Sequence, residues 1–250
     1  MDQGDTEEGS DYVLTGGFME ATHIVSEKDD YKLEFNPKTH RYFLHIPGEP
    51  KRRPLVSVTT TNRGYPVAEG LIKWRIGQGI EEYISGQKLG KASAIGTFSH
   101  ELFYKIEKGE PVDIPEVPEI QNIIELHKAW WDKVGYKDEV THRENIMAHP
   151  DYMLAGTLDR SCIRDGKRWL QDYKTAKGIY IEAFFQLAWY DILAEFWLGI
   201  KHDVWEVIRF GKEDSEYETQ KIEDPDMMKE YKAQALRNLA TYRFTSKYNT

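Results

Sequence analysis

The sequence of 250 residues has one cysteine, Cys162, and lacks any uninterrupted apolar run of the roughly 18 residues that a membrane span needs. A single cysteine excludes an intramolecular disulfide, a four-cysteine zinc site and a cysteine-ligated iron–sulfur cluster. No Walker A loop is present, which excludes ATP hydrolysis through a P-loop. The N-terminus is acidic where a secretory signal is basic and then apolar, so we expect an intracellular protein with no membrane partner.

Basic residues are in the minority, and the formal net charge of −9 argues against a nucleic-acid partner. Their distribution weakens that objection, because residues 51–105 hold 9 basic and 4 acidic side chains between two acidic segments. The composition is otherwise globular, with 40% hydrophobic and 30% charged residues, which excludes a wholly disordered chain. A basic segment inside an acidic protein is therefore the candidate surface for phosphate groups.

The pattern along the chain predicts one α/β domain over residues 29–250, its sheet covered by helices, after an acidic flexible tail over residues 1–28. Period-2 alternation around Asn36-Pro37 predicts a β-hairpin over residues 31–46. Further strands are predicted at 55–60, 139–147, 152–163, 167–175, 202–210 and 217–222. Helical spacing predicts helices at 68–84, from Gly96 with Thr97 as N-cap, at 118–134, at 182–198 and from about Asp226.

The most informative stretch is AGTLDRSCIRDGKRWLQDYKT, which places Asp159 at or near the end of one strand and Asp172 and Lys174 on the next. Alternation along a strand puts Asp172 and Lys174 on one face and turns Tyr173 away. A hairpin partner brings Asp159 opposite them, and two close carboxylates repel unless a cation neutralises them. Mg²⁺ or Mn²⁺ suits such oxygen ligands. The alternative is a surface ion pair on an edge strand, with Asp159 in a turn.

Polar residues on two helices add to this pattern. GTFSHEL places His100 in the first turn of a predicted helix, and EAFFQLAWY places Gln186 and Tyr190 four residues apart on one face of an otherwise apolar helix. Polar groups on such a helix need partners. Singly, His100 is also interpretable as a surface residue, and Gln186 and Tyr190 as satisfied core groups.

The ordered set GTxxH, GxxD, DYK and QxxxY resembles the RecB-type branch of the PD-(D/E)xK nuclease superfamily, from about Val56 to Tyr190. SVTT at 57–60, followed by a predicted helix with Trp74, is similar to phage-type and mitochondrial-type exonucleases of that branch. The resemblance implies a restriction-endonuclease-like core, a central mixed β-sheet flanked by helices. Relatives with an iron–sulfur cluster are poor guides, since this chain has one cysteine.

The resemblance also implies roles for individual residues. It implies a site for one or two Mg²⁺ or Mn²⁺ ions, whose ligands are His100, Asp159, Asp172, the Tyr173 carbonyl and, less closely matched, Glu144. It also implies that Lys174 is the catalytic lysine. Gln186 and Tyr190 match the pair of residues that supports the site. Substrate contacts are expected from the basic segment and the SVTT motif, namely Arg52, Arg53, Arg63, Lys73, Arg75 and Ser57.

The expected function is metal-dependent hydrolysis of DNA by an exonuclease that acts on single-stranded or frayed ends, in recombination, repair or replication. A single-strand annealing or replication protein is the expected partner, and a bacterial cytoplasm the expected location if the chain is of phage origin. Two alternatives stay open at this stage. Asp151, in the literal Pro150-Asp151 pair, competes with Asp159 as ligand, and a catalytically silent nucleic-acid-binding or scaffold module is the second functional hypothesis.

Overall fold

The computed structural model describes residues 23–65 and 87–248. The helix predicted at 68–84, with Lys73 and Arg75, lies outside these residues. Contacts divide the chain into two units, Met1–Leu55 and Val56–Thr250, where the sequence predicted one domain from residue 29.

The first unit is an antiparallel meander of β1 (His23–Lys28), β2 (Tyr31–Asn36) and β3 (Arg41–His45), with the start of β4 (Arg53–Ser57) paired to β3. β2 and β3 form the hairpin predicted around Asn36-Pro37. Leu33 and Leu44 face each other across it and are fully buried, as alternation requires of the inner face. β1 occupies residues 23–28, which the sequence had assigned to the flexible tail.

The second unit is built on β5 (Glu139–His149), β6 (Leu154–Arg164), β7 (Lys167–Lys174), β8 (Val204–Arg209) and β9 (Glu218–Ile222). β5, β6 and β7 run antiparallel, β8 is parallel to β7, and β9 is antiparallel to β8. The last two residues of β4 pair in parallel with the start of β6. β5 follows one edge of β6, and β4 and β7 share the other edge, with residues 156–159 between them.

Five α-helices accompany these strands in the described ranges: α1 (Val58–Thr61), α2 (Gln87–Glu107), α3 (Pro118–Lys133), α4 (Ile181–Trp197) and α5 (Pro225–Tyr248). α4 is the crossover that two parallel strands, β7 and β8, require. Tyr173 packs with α2 and α3 in an apolar cluster, so its neighbour Lys174 points to the opposite face, toward α4. The predicted α/β class is confirmed, with a mixed sheet flanked by helices.

None of the helices in the described ranges is both long enough and apolar enough to cross a lipid bilayer.

Three local predictions are wrong. α2 does not begin at Gly96 but at Gln87, and it runs through the glycine, which faces Thr175 at ordinary contact distance. The strand predicted at 55–60 ends at Ser57, because Val58 turns into the core and Thr61 Oγ1 donates to the Val58 carbonyl at 2.7 Å. Asp159 lies in the middle of β6 and not at its end.

Candidate metal centre and active site

Three side chains from separate elements meet at one point. A nitrogen of His100, on α2, and carboxylate oxygens of Glu144, on β5, and Asp159, on β6, all lie within 4.8 Å of one another. His100 Nδ1 is 3.4 Å from Asp159 Oδ1 and 3.9 Å from Glu144 Oε1. One imidazole and two carboxylates are a ligand set that divalent cations accept in proteins.

The backbone of Glu144 departs from the regular strand in order to deliver its carboxylate. Its φ is +46°, in the left-handed region that non-glycine residues adopt at a cost. The register with β6 is the same immediately before and after Glu144, since Arg143 faces Arg160 and Asn145 faces Leu158. A single strained residue therefore redirects one side chain without disturbing the register of the sheet.

Tyr173 joins the trio through its backbone. Its N–H donates to Asp159 Oδ2 at 2.7 Å, and its carbonyl accepts from His100 Nε2 at 3.1 Å. The second bond fixes the tautomer, because a carbonyl only accepts, and it leaves His100 Nδ1 as the atom that faces the carboxylates. Histidines that bind metals commonly donate their other N–H in this way. The carbonyl keeps one lone pair for a further ligand.

Asp172 stands beside this trio and is completely buried. Its Oδ2 lies 2.6 Å from Lys174 Nζ, yet neither carboxylate oxygen has a partner in good hydrogen-bond geometry among the described residues. A buried carboxylate without hydrogen bonds is costly and rare in folded proteins. Since Lys174 lies against Oδ2, Oδ1 is the oxygen left to bind a cation, and this is the observation on which the fit of a metal to the site depends.

Lys174 is held from the α4 side. Its Nζ donates to Gln186 Oε1 at 3.0 Å, and Gln186 Nε2 donates to Tyr190 Oη at 2.6 Å. Gly156 allows this arrangement, since an added Cβ would lie 2.8 Å from both Tyr190 Cε1 and Val58 Cγ2. The glycine of the GxxD pattern thus makes room for the tyrosine of the QxxxY pattern.

The charges of the site depend on one another. Burial opposes ionisation of Asp159, but the opposite charges of His100 and Lys174 outweigh it and lower the pKa of that carboxyl. Burial favours neutral His100, yet Asp159 and Glu144 raise the pKa of the imidazole to about 9. Burial raises the pKa of Asp172 to about 6 despite Lys174, and burial together with Asp159 raises the pKa of Glu144. Since imidazole binds a metal only when neutral, a cation and a proton compete for His100 Nδ1.

A buried carboxylate that the sequence reasoning missed, Glu107, lies directly behind the site. It accepts from Tyr173 Oη at 2.5 Å, from Arg143 Nε and Arg160 Nε at 3.1 Å each, and from His127 Nε2 at 3.3 Å. Burial opposes its ionisation, but His127 and Arg160 lower its pKa to about 2. The available sequence signal was weak, namely that Glu107 lies seven residues after His100 and so on the same helical face.

A small cavity opens where these groups meet. It is lined by residues from α2, β5, β6 and β7, namely His100, Tyr104, Glu107, Arg143, Glu144, Asp159 and Tyr173. The competing ligand Asp151 is exposed in the turn between β5 and β6 and is not part of this lining. Cys162 is buried, and burial raises the pKa of its thiol to about 12, as expected of a packing residue and not of a nucleophile.

The predicted nucleic-acid contacts are only partly placed. Arg52 pairs with Glu34 and lies 4.2 Å from the Phe43 ring centroid, and Arg53 pairs with Glu49 at 3.2 Å, all within the first unit. Ser57 belongs to the second unit, where its Oγ lies 3.0 Å from Thr59 Oγ1. The side chain of Arg63 falls outside the described part of the structure. No contact places any of them in the metal-ligand cluster of the described residues.

No protein-family model and no curated protein matches the sequence. Solved structures similar in fold include the alkaline exonuclease LHK-Exo from Laribacter hongkongensis, at 13% identity and a TM-score of 0.39 over 78% of this chain and 90% of that one. The same enzyme in complex with dAMP matches at 12% and 0.38, with the same coverage. The structure of SSO0001 matches at 13% and 0.28, over 47% of this chain and 56% of that one.

Proposed function

We propose that this chain, whose motifs and α/β fold resemble those of RecB-type PD-(D/E)xK nucleases, is a metal-dependent DNA exonuclease. The observation that carries the proposal is the convergence of His100, Glu144 and Asp159 beside the buried carboxylate of Asp172, whose Oδ1 has no hydrogen-bond partner among the described residues. Buried carboxylate oxygens are normally satisfied by hydrogen bonds, and this one is not. The ion pair of Asp172 with Lys174 places a positive charge beside the candidate metal ligands, where it can act on a phosphodiester.

The donor set fits a hard divalent cation such as Mg²⁺ or Mn²⁺. His100, Asp159, Asp172 and the Tyr173 carbonyl would hold it, with Glu144 as a further carboxylate. When bound, such an ion acts as a Lewis acid that polarises a phosphoryl oxygen and neutralises charge that develops on the phosphate. The number of ions that bind, one or two, depends on how many of these oxygen ligands coordinate each ion.

Lys174 is the catalytic lysine in this proposal. Its ammonium lies 2.6 Å from Asp172 Oδ2 and is oriented by the amide of Gln186. From there it orients the attacking water and stabilises the negative charge that forms on the scissile phosphate. Gln186 and Tyr190 act through Lys174 and are positioning residues.

The test is a cleavage assay on end-labelled DNA with Mg²⁺ or Mn²⁺, followed by the same reaction with EDTA. Linear single-stranded DNA should be degraded with a metal and spared with EDTA, and Lys174→Ala should lower turnover by about 10³-fold, or roughly 4 kcal/mol of transition-state stabilisation. Binding of DNA without metal-dependent cleavage would favour the silent binding module instead. Labelled RNA and double-stranded DNA in parallel define the substrate class.

The exonuclease assignment is tested by topology of the substrate. Circular single-stranded DNA should resist digestion while its linearised form is degraded under identical metal conditions. Equal rates on both forms would make the enzyme an endonuclease and leave the metal site as proposed. We propose that the enzyme acts on single-stranded or frayed DNA ends during recombination, repair or replication. We further propose that it works with an annealing or replication protein and has an intracellular location.

A further inference from the structure

Arg143 lies on the wall of the cavity that holds the candidate metal ligands, and the mechanism above gives it no role. It precedes Glu144 on β5 and lines the same cavity as His100 and Asp159. Its side chain is 24% exposed, which distinguishes it from its cross-strand neighbour Arg160, whose side chain is fully buried. One of the two paired guanidinium groups is therefore part of the core, and the other reaches the cavity.

The guanidinium of Arg143 is held by one nitrogen only. Its Nε donates to Glu107 Oε2 at 3.1 Å, and the Glu107 side chain is 2% exposed. Among the described residues, no hydrogen-bond partner is found for the two terminal nitrogens. Because the group is planar, fixing Nε restricts the plane and the direction of the remaining N–H donors. Arg143 is thus oriented in advance without being saturated.

Arg143 is not needed to neutralise the charge of Glu107. Arg160 already contributes Nε to the same carboxylate oxygen at 3.1 Å, and His127 and Tyr173 donate to the other oxygen. Four N–H donors of Arg143 stay available beside a cavity whose other charged walls are mainly candidate metal ligands. A ligand for these donors must be an anion that accepts two parallel hydrogen bonds from one guanidinium and that also binds a divalent cation. Phosphate is the tetrahedral oxyanion that does both.

We infer that Arg143 binds a phosphate group of the nucleic-acid strand, and that Glu107 positions it. The inference rests on the proposed nuclease function, because it assigns the anion of that substrate to the cavity. The terminal nitrogens of Arg143 donate to non-bridging oxygens of the phosphate, while His100, Glu144 and Asp159 are engaged on the cation side. Glu107 then links two parts of the site, since it also holds the Tyr173 phenol.

The experiment compares Arg143→Met and Arg143→Lys with Arg168→Met, an exposed arginine six residues before Lys174 on β7. Calorimetry with Mg²⁺ measures the dissociation constants of thymidine 5′-monophosphate and inorganic phosphate, which requires no turnover. We expect Arg143→Met to weaken binding by about 10-fold or more, as loss of a charge-assisted hydrogen bond does. Arg143→Lys should retain part of the affinity, and Arg168→Met all of it.

Thermal unfolding of each variant identifies any loss of folding, and Arg143→Lys keeps the test decisive if the methionine variant melts early. Unchanged binding in Arg143→Met, or an equal loss in Arg168→Met, overturns the inference. A wild-type chain that binds the monophosphate through Arg143 but cleaves no DNA would defeat the proposed function alone. Steady-state assays on 5′-phosphorylated and 5′-hydroxyl DNA then locate the subsite, because a loss of kcat/KM confined to the former assigns the terminal phosphate and an equal loss assigns an internal one.

Discussion

The carboxylate of Asp159 accepts the backbone N–H of Tyr173 at 2.7 Å, just beyond the point where the ladder between β6 and β7 ends with Arg160 and Gln171. This bond makes Asp159 part of the sheet as well as of the metal site. Asp172 makes no comparable bond to the sheet, because neither of its oxygens is in good hydrogen-bond geometry with a described residue. The two aspartates should therefore respond differently to the same substitution.

Asp172→Asn and Asp159→Asn should each lower turnover by about 10³-fold, because each removes a negative ligand. Their effects on folding should diverge. Asp172→Asn removes a buried charge whose burial raises its pKa to about 6 despite the ion pair with Lys174, so it should leave the free energy of unfolding unchanged or higher. Asp159→Asn replaces an anionic acceptor with a neutral amide and should cost about 1–3 kcal/mol. Urea unfolding and cleavage assays on the same samples check both effects.

Asp151→Asn is the matched control for these variants, because Asp151 is exposed in the turn between β5 and β6. It should keep wild-type turnover and stability. Strong inactivation by this change would transfer the ligand role from Asp159 to Asp151.

Gln186→Met should lower kcat by about 10- to 100-fold with little change in KM, since it removes the acceptor that orients the Lys174 ammonium. Tyr190→Phe should act in the same direction but more weakly, because it removes a bond to Gln186 and not to the lysine. Steady-state kinetics on linear single-stranded DNA measure the two parameters. A Gln186→Met enzyme with normal kcat would show that Lys174 needs no support from α4.

Gly156→Ala should impair both stability and activity. The added methyl would lie 2.8 Å from the Tyr190 ring and from Val58, so that these side chains must shift at a cost of about 1–3 kcal/mol. Gly64→Ala is the matched control, because its methyl would overlap the Asn238 backbone on α5 and not Tyr190. Both variants should melt earlier, but only Gly156→Ala should lower kcat per folded molecule, as measured at a temperature where both are native.

Acid stability should depend on Asp191, a buried residue of α4. Its Oδ1 lies 2.7 Å from His202 Nδ1 and its Oδ2 lies 2.6 Å from Lys232 Nζ. Burial opposes ionisation, but these partners lower the pKa of Asp191 below its ordinary value. A lowered carboxyl pKa stabilises the fold above the unfolded pKa of about 4, and this contribution is lost as the pH falls through the folded pKa.

The comparison for Asp191 is urea unfolding of wild type and Asp191→Asn between pH 6 and acid conditions. The difference in unfolding free energy should be constant, at roughly 3 kcal/mol, near neutral pH and should shrink below about pH 4. A difference that stays the same down to the lowest pH would mean that the ion pairs contribute nothing through ionisation.

Ser161 Oγ lies 3.0 Å from His202 Nε2, but this serine is 2% exposed, so the group is structural and not a hydrolytic triad.

The sheet and most helices of the second unit were predictable because their signals are local. Alternation marked β5 to β7, the Asp165-Gly166 pair marked the turn between two of them, and Pro118 marked the start of α3. The start of α2 was not predictable in this way. Gly96 is unfavourable in a helix interior by propensity, yet the helix runs through it, and no local pattern in the sequence indicates this.

The candidate ligands could be named from motif order, but their supports could not. Glu107, in the sequence KIEKGE, has the appearance of a solvated charge at a helix end, and Arg160 that of an ordinary residue beside a ligand. Their roles arise from contacts between residues 53 positions apart, which no local pattern records. The left-handed backbone at Glu144 could not be predicted either, because glutamate is not a residue type that favours this conformation.

The bond between His100 and the Tyr173 carbonyl joins residues 73 positions apart, whereas β5, β6 and β7 pair with their neighbours in sequence. Hairpins close quickly, and long loops pay more entropy before their contacts form. The order of folding that this implies is that the carboxylates of β5 and β6 come together first and the imidazole arrives with the docking of α2. A chain in which that helix has not yet docked carries the acidic half of the site alone, without the imidazole.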